Sequence, residues 1–191
     1  MKKEELIGFE TYQYTPFIRQ KSEEVLVDLL KKHNPKSVLE IGTFIGYSAT
    51  LILENAPECK LISIEKEKKN FDNACKNLKK YEDRVILKNK DALEFLQEDD
   101  NQYDFIFLDG AKGQYFKYLP YLKRNLTVGG VLVADDVLFY GMVESTEKIP
   151  HKHRALVNNL RKFLQALDED KEFDTQVLSI EDGLSISIKL K

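Results

Sequence analysis

The amino-acid sequence predicts a doubly wound α/β fold, because short apolar runs and segments with helical periodicity alternate along most of its 191 residues. One of these runs, Tyr103–Leu108, is almost continuously apolar, which is typical of a central strand in a parallel sheet. The end of the chain differs, since apolar and polar residues alternate on both sides of Glu181-Asp182-Gly183 and so predict a hairpin. We therefore expect a mostly parallel sheet of seven strands that ends in an antiparallel hairpin, with helices on both faces.

The first half of the chain contains three predicted helices and three predicted strands. The first helix shows apolar residues at helical spacing, begins near Ser22 as a candidate N-cap, and ends at Asn34-Pro35. In chain order, the predicted elements are a helix over 22–32, a strand over 38–41, a helix over 47–54, a strand over 61–64, a helix around 71–78 and a strand over 85–87.

The second half continues the alternation. The predicted elements are a short helix over 91–96, a strand over 103–108, a helix over 115–126, a strand over 131–134 and an amphipathic helix over 154–167. Gly129-Gly130 should separate the third of these elements from the strand that follows it. The final hairpin then adds an antiparallel strand to the sheet.

Length and composition indicate one domain over residues 1–191, in which residues 1–15 form a short N-terminal extension. The formal net charge of -3 means that the protein as a whole does not attract polyanions. Any nucleic acid would therefore have to bind a local patch of basic residues. The chain has two cysteines, Cys59 and Cys75, and we expect no disulfide between them. The first residues do not resemble a signal peptide, so a secreted protein is not expected. No apolar run approaches the roughly 20 residues that span a bilayer. We expect a cytoplasmic protein without a membrane partner.

Chemistry-bearing residues follow four of the predicted strands. The sequence reads LEIGTFIGYS at the first strand, ISIEKE at the second, FLDGAKGQY at the fourth and ADDVL at the fifth. Ligands of an open α/β sheet bind beyond the carboxyl ends of its strands. We therefore expect these residues to share one edge of the sheet and to form the functional site.

The first motif is a glycine-rich loop from Gly42 to Gly46 that lacks the third glycine of a dinucleotide-binding fingerprint. A carboxylate at Glu40 would also repel a pyrophosphate, so a nicotinamide cofactor is not expected. A cationic or zwitterionic ligand fits these residues better. Glu65, at the end of the next strand, is placed where an acid would hold a ribose diol.

Taken together, these motifs resemble the class I S-adenosylmethionine-dependent methyltransferases, and specifically the metal-dependent O-methyltransferases of the catechol O-methyltransferase type. The resemblance runs from about Pro16 to Lys191. It implies a Rossmann-like fold, S-adenosylmethionine as methyl donor, Mg²⁺ or another divalent cation, and a homodimer. The segments AKGQYFKYLPYLK, DDVLFYGMV and DGLSISIK look most like bacterial tRNA 5-hydroxyuridine methyltransferases, which implies methylation of the wobble nucleotide to 5-methoxyuridine.

The resemblance also implies roles for individual residues. Those expected at the cofactor are Glu40, Gly42, Phe44, Gly46, Ser48, Glu65, Asp91, Ala92 and Asp109. Those expected at the metal are Asp109, Asp135 and Asp136, and those expected to act in catalysis are Lys112 and Asp109. Many relatives have Asn where this chain has Asp136, and the added negative charge leaves the identity of the metal open. Three carboxylates form an all-oxygen site of the kind that hard cations prefer.

Two kinds of methyl acceptor could chelate a divalent cation through two adjacent oxygens. Catechols have two vicinal hydroxyl groups, and 5-hydroxyuridine has a 5-hydroxyl beside its 4-carbonyl. For an RNA acceptor, a basic segment supplies candidate phosphate contacts, namely Lys148, His151, Lys152, His153, Arg154, Arg161 and Lys162. Phe139 and Tyr140 could stack on a splayed base or line a catechol pocket. Other interpretations stay open: the glycines could form an ordinary tight turn, the basic segment could be a solvated helix face, and the chain could be a non-catalytic binding module.

Overall fold

The computed structural model describes residues 2–11 and 17–191. The strands of this part of the chain are β1 (Ser37–Ile41), β2 (Lys60–Glu65), β3 (Val85–Asn89), β4 (Tyr103–Leu108), β5 (Leu126–Asp135), β6 (Phe173–Leu178) and β7 (Leu184–Lys189). Its α-helices are α1 (Gln20–His33), α2 (Tyr47–Asn55), α3 (Lys68–Asn77), α4 (Ala92–Glu98), α5 (Tyr115–Asn125) and α6 (Arg154–Glu169). The predicted end of the N-terminal extension falls within residues 12–16, outside the described residues.

All seven strands belong to one sheet in the order β3-β2-β1-β4-β5-β7-β6. The first five strands of this order pair in parallel, whereas β7 pairs antiparallel with both β5 and β6. The strand order reverses between β1 and β4, which is the switch point at which open α/β sheets bind their ligands. The predicted Rossmann-like sheet with its C-terminal antiparallel hairpin is confirmed.

Helices cover both faces of this sheet. Side chains of β4 alternate between the faces: Phe105 and Phe107 pack with residues of α1 and α2, whereas Ile106 and Leu108 pack with residues of α5 and α6. This alternation follows from the two-residue period of a strand. Within residues 2–11 and 17–191, no helix combines the length and the apolar character needed to cross a membrane.

The predicted N-cap of the first helix was wrong. Helix α1 begins after Arg19, and Ser22 is a buried residue of its first turn. The Glu181 carboxylate, from the distant hairpin, accepts hydrogen bonds from the backbone N–H groups of Lys21 (3.2 Å) and Ser22 (3.1 Å). A tertiary contact therefore satisfies donors that a local cap would otherwise satisfy.

Gly129-Gly130 also does not separate a helix from a strand, as had been expected. Helix α5 ends at Asn125 and β5 begins at Leu126, so both glycines lie inside β5. Tyr103 of β4 pairs with Leu126 of β5, and Phe105 pairs with Val131. Between these two pairs β5 contains more residues than β4, so the pairing is irregular there. Gly129 has a φ of 79°, a left-handed conformation that glycine adopts without strain.

Candidate active site

A cavity of about 590 Å³ opens at the carboxyl ends of β1, β2, β3 and β4. Its volume lies within the usual range of about 300–1,000 Å³ for cofactor and small-molecule sites. The predicted site residues that line it are Gly42, Phe44, Ser48, Glu65, Asp91, Ala92, Asp109 and Lys112. The structure thus brings together most of the residues that were expected at the cofactor.

Gly42 allows the ends of β1 and β4 to approach each other closely. Its φ is 103°, and a Cβ atom there would lie 2.1 Å from the backbone oxygen of Asp109. The loop that follows is held by Glu65, whose carboxylate accepts hydrogen bonds from the backbone N–H groups of Phe44 (2.7 Å) and Glu67 (2.7 Å). Burial raises the pKa of Glu65. These two hydrogen bonds fix the conformation of the loop against the end of β2.

Glu40 and Gly46 are not among the described residues that line this cavity. Glu40 is fully buried, accepts a hydrogen bond from the Ser63 hydroxyl, and its Oε1 makes no hydrogen bond to a described residue. Burial raises the pKa of Glu40 to about 7. Gly46 begins α2 with a φ of 94°, and a Cβ there would lie 3.1 Å from the Leu78 side chain. Direct contact of either residue with a cofactor stays a prediction.

Asp91 closes the far end of the cavity as the N-cap of α4. Its carboxylate accepts a hydrogen bond from the backbone N–H of Leu93 (2.9 Å) and forms an ion pair with Lys66 (3.0 Å). The hydrogen bond from Lys66 holds the pKa of Asp91 below its usual value. Lys66 and Lys90 also line this end of the cavity, although neither was predicted there.

The three predicted metal ligands meet at the ends of β4 and β5. Asp109, Asp135 and Asp136 each offer a carboxylate oxygen, and these oxygens lie within 4.8 Å of one another. Burial, followed by the charges of the other two acids, raises the pKa of Asp135 to about 7. A cluster of acids this close needs a counter-charge, and its donor set contains only oxygen. The residues present therefore fit a hard divalent cation such as Mg²⁺.

Lys112 supplies that counter-charge in this structure. Its Nζ atom lies 3.0 Å from Asp109 Oδ1 and 3.0 Å from Asp136 Oδ2. Burial opposes the charge on Lys112, but the Asp109 and Asp136 carboxylates raise its pKa well above the ordinary value. The ammonium group therefore stands where a cation can neutralise the cluster.

A second cavity, of about 170 Å³, lies on the other side of the acid cluster. Its described lining residues are Phe17, Arg19, Asp109, Lys112, Asp135, Asp136, Phe139, Tyr140 and Asp182. Phe17, Asp109 and Lys112 line both cavities. Two molecules bound in the two cavities would therefore meet beside Asp109 and Lys112, which are both half-buried, and this arrangement suits group transfer.

Phe17, Arg19 and Asp182 were not predicted at the site. Arg19 Nη2 lies 2.5 Å from Asp182 Oδ2, an ion pair between residues 163 positions apart in the chain. The Asp182 backbone oxygen also accepts a hydrogen bond from the N–H of Leu138 (2.8 Å), in the turn that follows the metal-site acids. Only the three-dimensional fold brings these segments together, and no local pattern in the sequence indicates it.

The basic segment after residue 147 divides into structural and exposed cations. Arg161 donates hydrogen bonds to the backbone oxygens of Met142, Val143 and Ser145, so it holds the preceding loop in place. The cations of the segment that remain exposed are Lys148, His151, Lys152, Arg154 and Lys162. The Tyr140 side chain is 62% exposed at the rim of the smaller cavity.

The sequence of this chain is similar to those of known O-methyltransferases. A family model described as "O-methyltransferase" matches residues 7–190. A caffeoyl-CoA O-methyltransferase of Medicago sativa is 30% identical over 176 residues, which cover 85% of this chain and 70% of that protein.

Solved structures show the same fold. A provisionally assigned caffeoyl-CoA O-methyltransferase from Staphylococcus aureus is 29% identical and superposes with a TM-score of 0.88 over 99% of this chain and 92% of its own. An O-methyltransferase from Bacillus cereus, solved in complex with SAH, is 22% identical with a TM-score of 0.82 over 92% and 84% of the two chains. Because the family model matches nearly the whole sequence, this chain belongs to the O-methyltransferase family and is a methyltransferase enzyme of the S-adenosylmethionine-dependent class.

Proposed function

We propose that this chain transfers the methyl group of S-adenosylmethionine to a hydroxyl oxygen of an acceptor that binds a divalent cation. The observation that carries the proposal is that Asp109 and Lys112 line both cavities, while Asp135 and Asp136 line the smaller cavity beside them. The larger cavity would hold the methyl donor, and the smaller one would hold the acceptor. In-line transfer requires donor and acceptor to meet at such a boundary.

The residues of the larger cavity suit the chemical groups of the proposed cofactor. Gly42 leaves room for close backbone approach, and Glu65 lies at the end of β2, where an acid holds a ribose. Asp91 and Ala92 line the far end, where the adenine would lie. S-Adenosylmethionine supplies the methyl group when it is bound. The relative from Bacillus cereus, solved with SAH, supports this choice of ligand.

The carboxylates of Asp109, Asp135 and Asp136 would hold the divalent cation. When bound, such a cation lowers the pKa of a hydroxyl that it coordinates. Lys112 would then share its two acids with a second positive charge and would hold its own proton less tightly. Once its ammonium group has released a proton to solvent, the neutral Nζ could accept the proton that the acceptor hydroxyl loses. Lys112 would thus change from counter-ion to general base.

For the acceptor, we propose a 5-hydroxyuridine at the wobble position of tRNA. The exposed ring of Tyr140 at the rim of the smaller cavity could stack on a base, and the exposed cations between Lys148 and Lys162 could contact phosphates. A wobble nucleotide is unpaired in free tRNA, so no base pair has to be broken to present it to the enzyme. The 5-hydroxyl and the neighbouring 4-carbonyl would form the chelating pair.

A small phenol with vicinal oxygens is the second candidate acceptor. The relative from Medicago sativa is named for a caffeoyl-CoA substrate, and the smaller cavity, at about 170 Å³, suits a single aromatic ring. Phe17 and Phe139, which line this cavity, could enclose such a ring.

A direct comparison of the two acceptors tests the proposal. Labelled S-adenosylmethionine and Mg²⁺ are incubated with the protein and either tRNA that carries 5-hydroxyuridine or a simple catechol. We expect label in the tRNA, recovered as 5-methoxyuridine after digestion. Label in the catechol alone would favour the second candidate. Transfer to neither acceptor would overturn both proposed acceptors.

A further inference from the structure

Tyr115 occupies a position that the proposed reaction does not by itself explain. The residue is fully buried, and its hydroxyl lies 3.1 Å from the backbone oxygen of Leu108 and 3.3 Å from that of Asp135. Leu108 ends β4 and Asp135 ends β5. One side chain therefore bridges the ends of the two strands that carry the acid cluster.

The register of β4 with β5 ends at Leu108 and Ala134, one residue before the acids. Asp109 donates its backbone N–H to Ile41 on one side (2.9 Å), and Asp135 pairs with Leu184 on the other. The Tyr115 hydroxyl therefore adds a side-chain link between the two strand ends at the point where their mutual backbone pairing stops.

The position of this hydroxyl is well defined. The Tyr115 ring makes an edge-on contact with Phe163 at a centroid distance of 5.5 Å and an interplanar angle of 67°, and both side chains are fully buried. The hydroxyl has one hydrogen, which it shares between the backbone oxygens of Leu108 and Asp135. Packing of this kind restricts the ring to one orientation.

We propose that Tyr115 is a positioning residue whose hydroxyl sets the separation of Asp109 and Asp135 and thereby the affinity of the acid cluster for a divalent cation. The inference rests on the proposed metal site and extends it to a residue that contacts neither cation nor substrate. Some groups do not contact the metal but hold its ligands in position. Their removal typically weakens metal binding by about 10- to 100-fold.

Tyr115→Phe tests the proposal, because it removes the hydroxyl and keeps the ring. Tyr103→Phe is a matched control: Tyr103 is also buried, and its hydroxyl donates to Asp99 Oδ2 (2.8 Å) at the opposite end of β4. Mn²⁺ binding to the metal-free proteins is measured by electron paramagnetic resonance, together with their thermal stability. We expect Tyr115→Phe to bind Mn²⁺ about tenfold more weakly, and Tyr103→Phe to bind it as the wild type does.

Kinetics supply a second readout. In Tyr115→Phe the Mn²⁺ concentration for half-maximal activity should rise about tenfold, whereas kcat at saturating Mn²⁺ should stay close to the wild-type value. Phe163→Leu, which loosens the ring and keeps the hydroxyl, should weaken Mn²⁺ binding in the same direction but by less, and it serves as the test if Tyr115→Phe does not fold.

Unchanged Mn²⁺ affinity in the Tyr115 variant, or in Phe163→Leu if that variant replaces it, would overturn the proposal. Equal weakening in Tyr115→Phe and Tyr103→Phe would do the same, because it would reflect a general loss of stability. Failure of the wild type itself to bind Mn²⁺ would remove the metal site, and with it the proposed function. The two failures are therefore distinguishable.

Discussion

At the scale of single residues, the proposed chemistry depends on how Lys112 and three carboxylates share charge. Lys112 lies 3.0 Å from both Asp109 and Asp136 and compensates their charges. Asp136 places a third carboxylate in this group, within 4.8 Å of the other two. Burial makes each of these charges sensitive to its neighbours, so loss of one acid should affect chemistry much more than cofactor binding.

Asp135→Ala should therefore lower the turnover number by about two orders of magnitude. The affinity for S-adenosylmethionine, measured by calorimetry, should stay within about threefold of wild type, because Asp135 is not among the described residues that line the larger cavity. Asp174→Ala, at an exposed position of β6, is the control and should change neither quantity. Full activity in Asp135→Ala would remove this residue from the metal site.

Glu40 should make the stability of the protein depend on pH. Its pKa is raised from 4.5 to about 7 because the carboxyl group is buried, so the folded state binds the proton more tightly than the unfolded state does. Stability from this group is therefore present below about pH 4.5 and is lost as the pH rises towards 7.

Glu40→Gln should abolish that loss, since an amide does not ionise. Between pH 5 and pH 8 the free energy of unfolding of wild type should fall relative to that of Glu40→Gln by on the order of 2 kcal/mol. Urea denaturation at each pH measures both values. Parallel pH curves for the two proteins would contradict the assignment.

At the scale of elements, the site depends on the close contact between the ends of β1 and β4. Gly42→Ala should lower the free energy of unfolding by about 3 kcal/mol or more, because its Cβ would clash with the Asp109 backbone oxygen at 2.1 Å. Gly129→Ala is the control that shows backbone strain without a steric clash. The φ of Gly129 is also positive, at 79°, but no atom lies within 4 Å of the added Cβ. It should cost only about 1 kcal/mol. Equal losses, measured by chemical denaturation, would refute the role given to the contact.

The sequence predicted the elements better than the contacts between them. The strand ends that carry Gly42, Glu65, Asp109 and Asp135 were predictable, because periodicity marks each strand and parallel strands end at a common edge. The irregularity at Gly129-Gly130 was not, since a glycine pair is equally typical of a break between elements.

Contacts between residues that are far apart in the chain could not be predicted from any local sequence pattern. Arg19 meets Asp182 from 163 positions away, and Glu181 caps a helix whose own sequence offered Ser22 instead. Tyr115 was predicted only as the start of a helix, because nothing in the sequence says that its hydroxyl reaches two strand ends. Such long-range pairs depend on the assembled sheet.

At the scale of the whole molecule, one sheet edge presents two adjoining cavities whose common boundary is acidic and contains a lysine. Because the overall net charge is only -3, an RNA acceptor would depend on the local cations near the smaller cavity and would bind more weakly as salt increases. The homodimer and the cytoplasmic location stay predictions.

We expect methyl transfer by this protein to require a divalent cation held by the acid cluster. The most direct measurement is the rate of methyl transfer from labelled S-adenosylmethionine by metal-free protein as Mg²⁺ is titrated, with whichever of the two acceptors is methylated, and again with excess EDTA. We expect the rate to rise from background, to saturate with Mg²⁺ and to return to background in EDTA. Transfer at an undiminished rate in excess EDTA would contradict the claim.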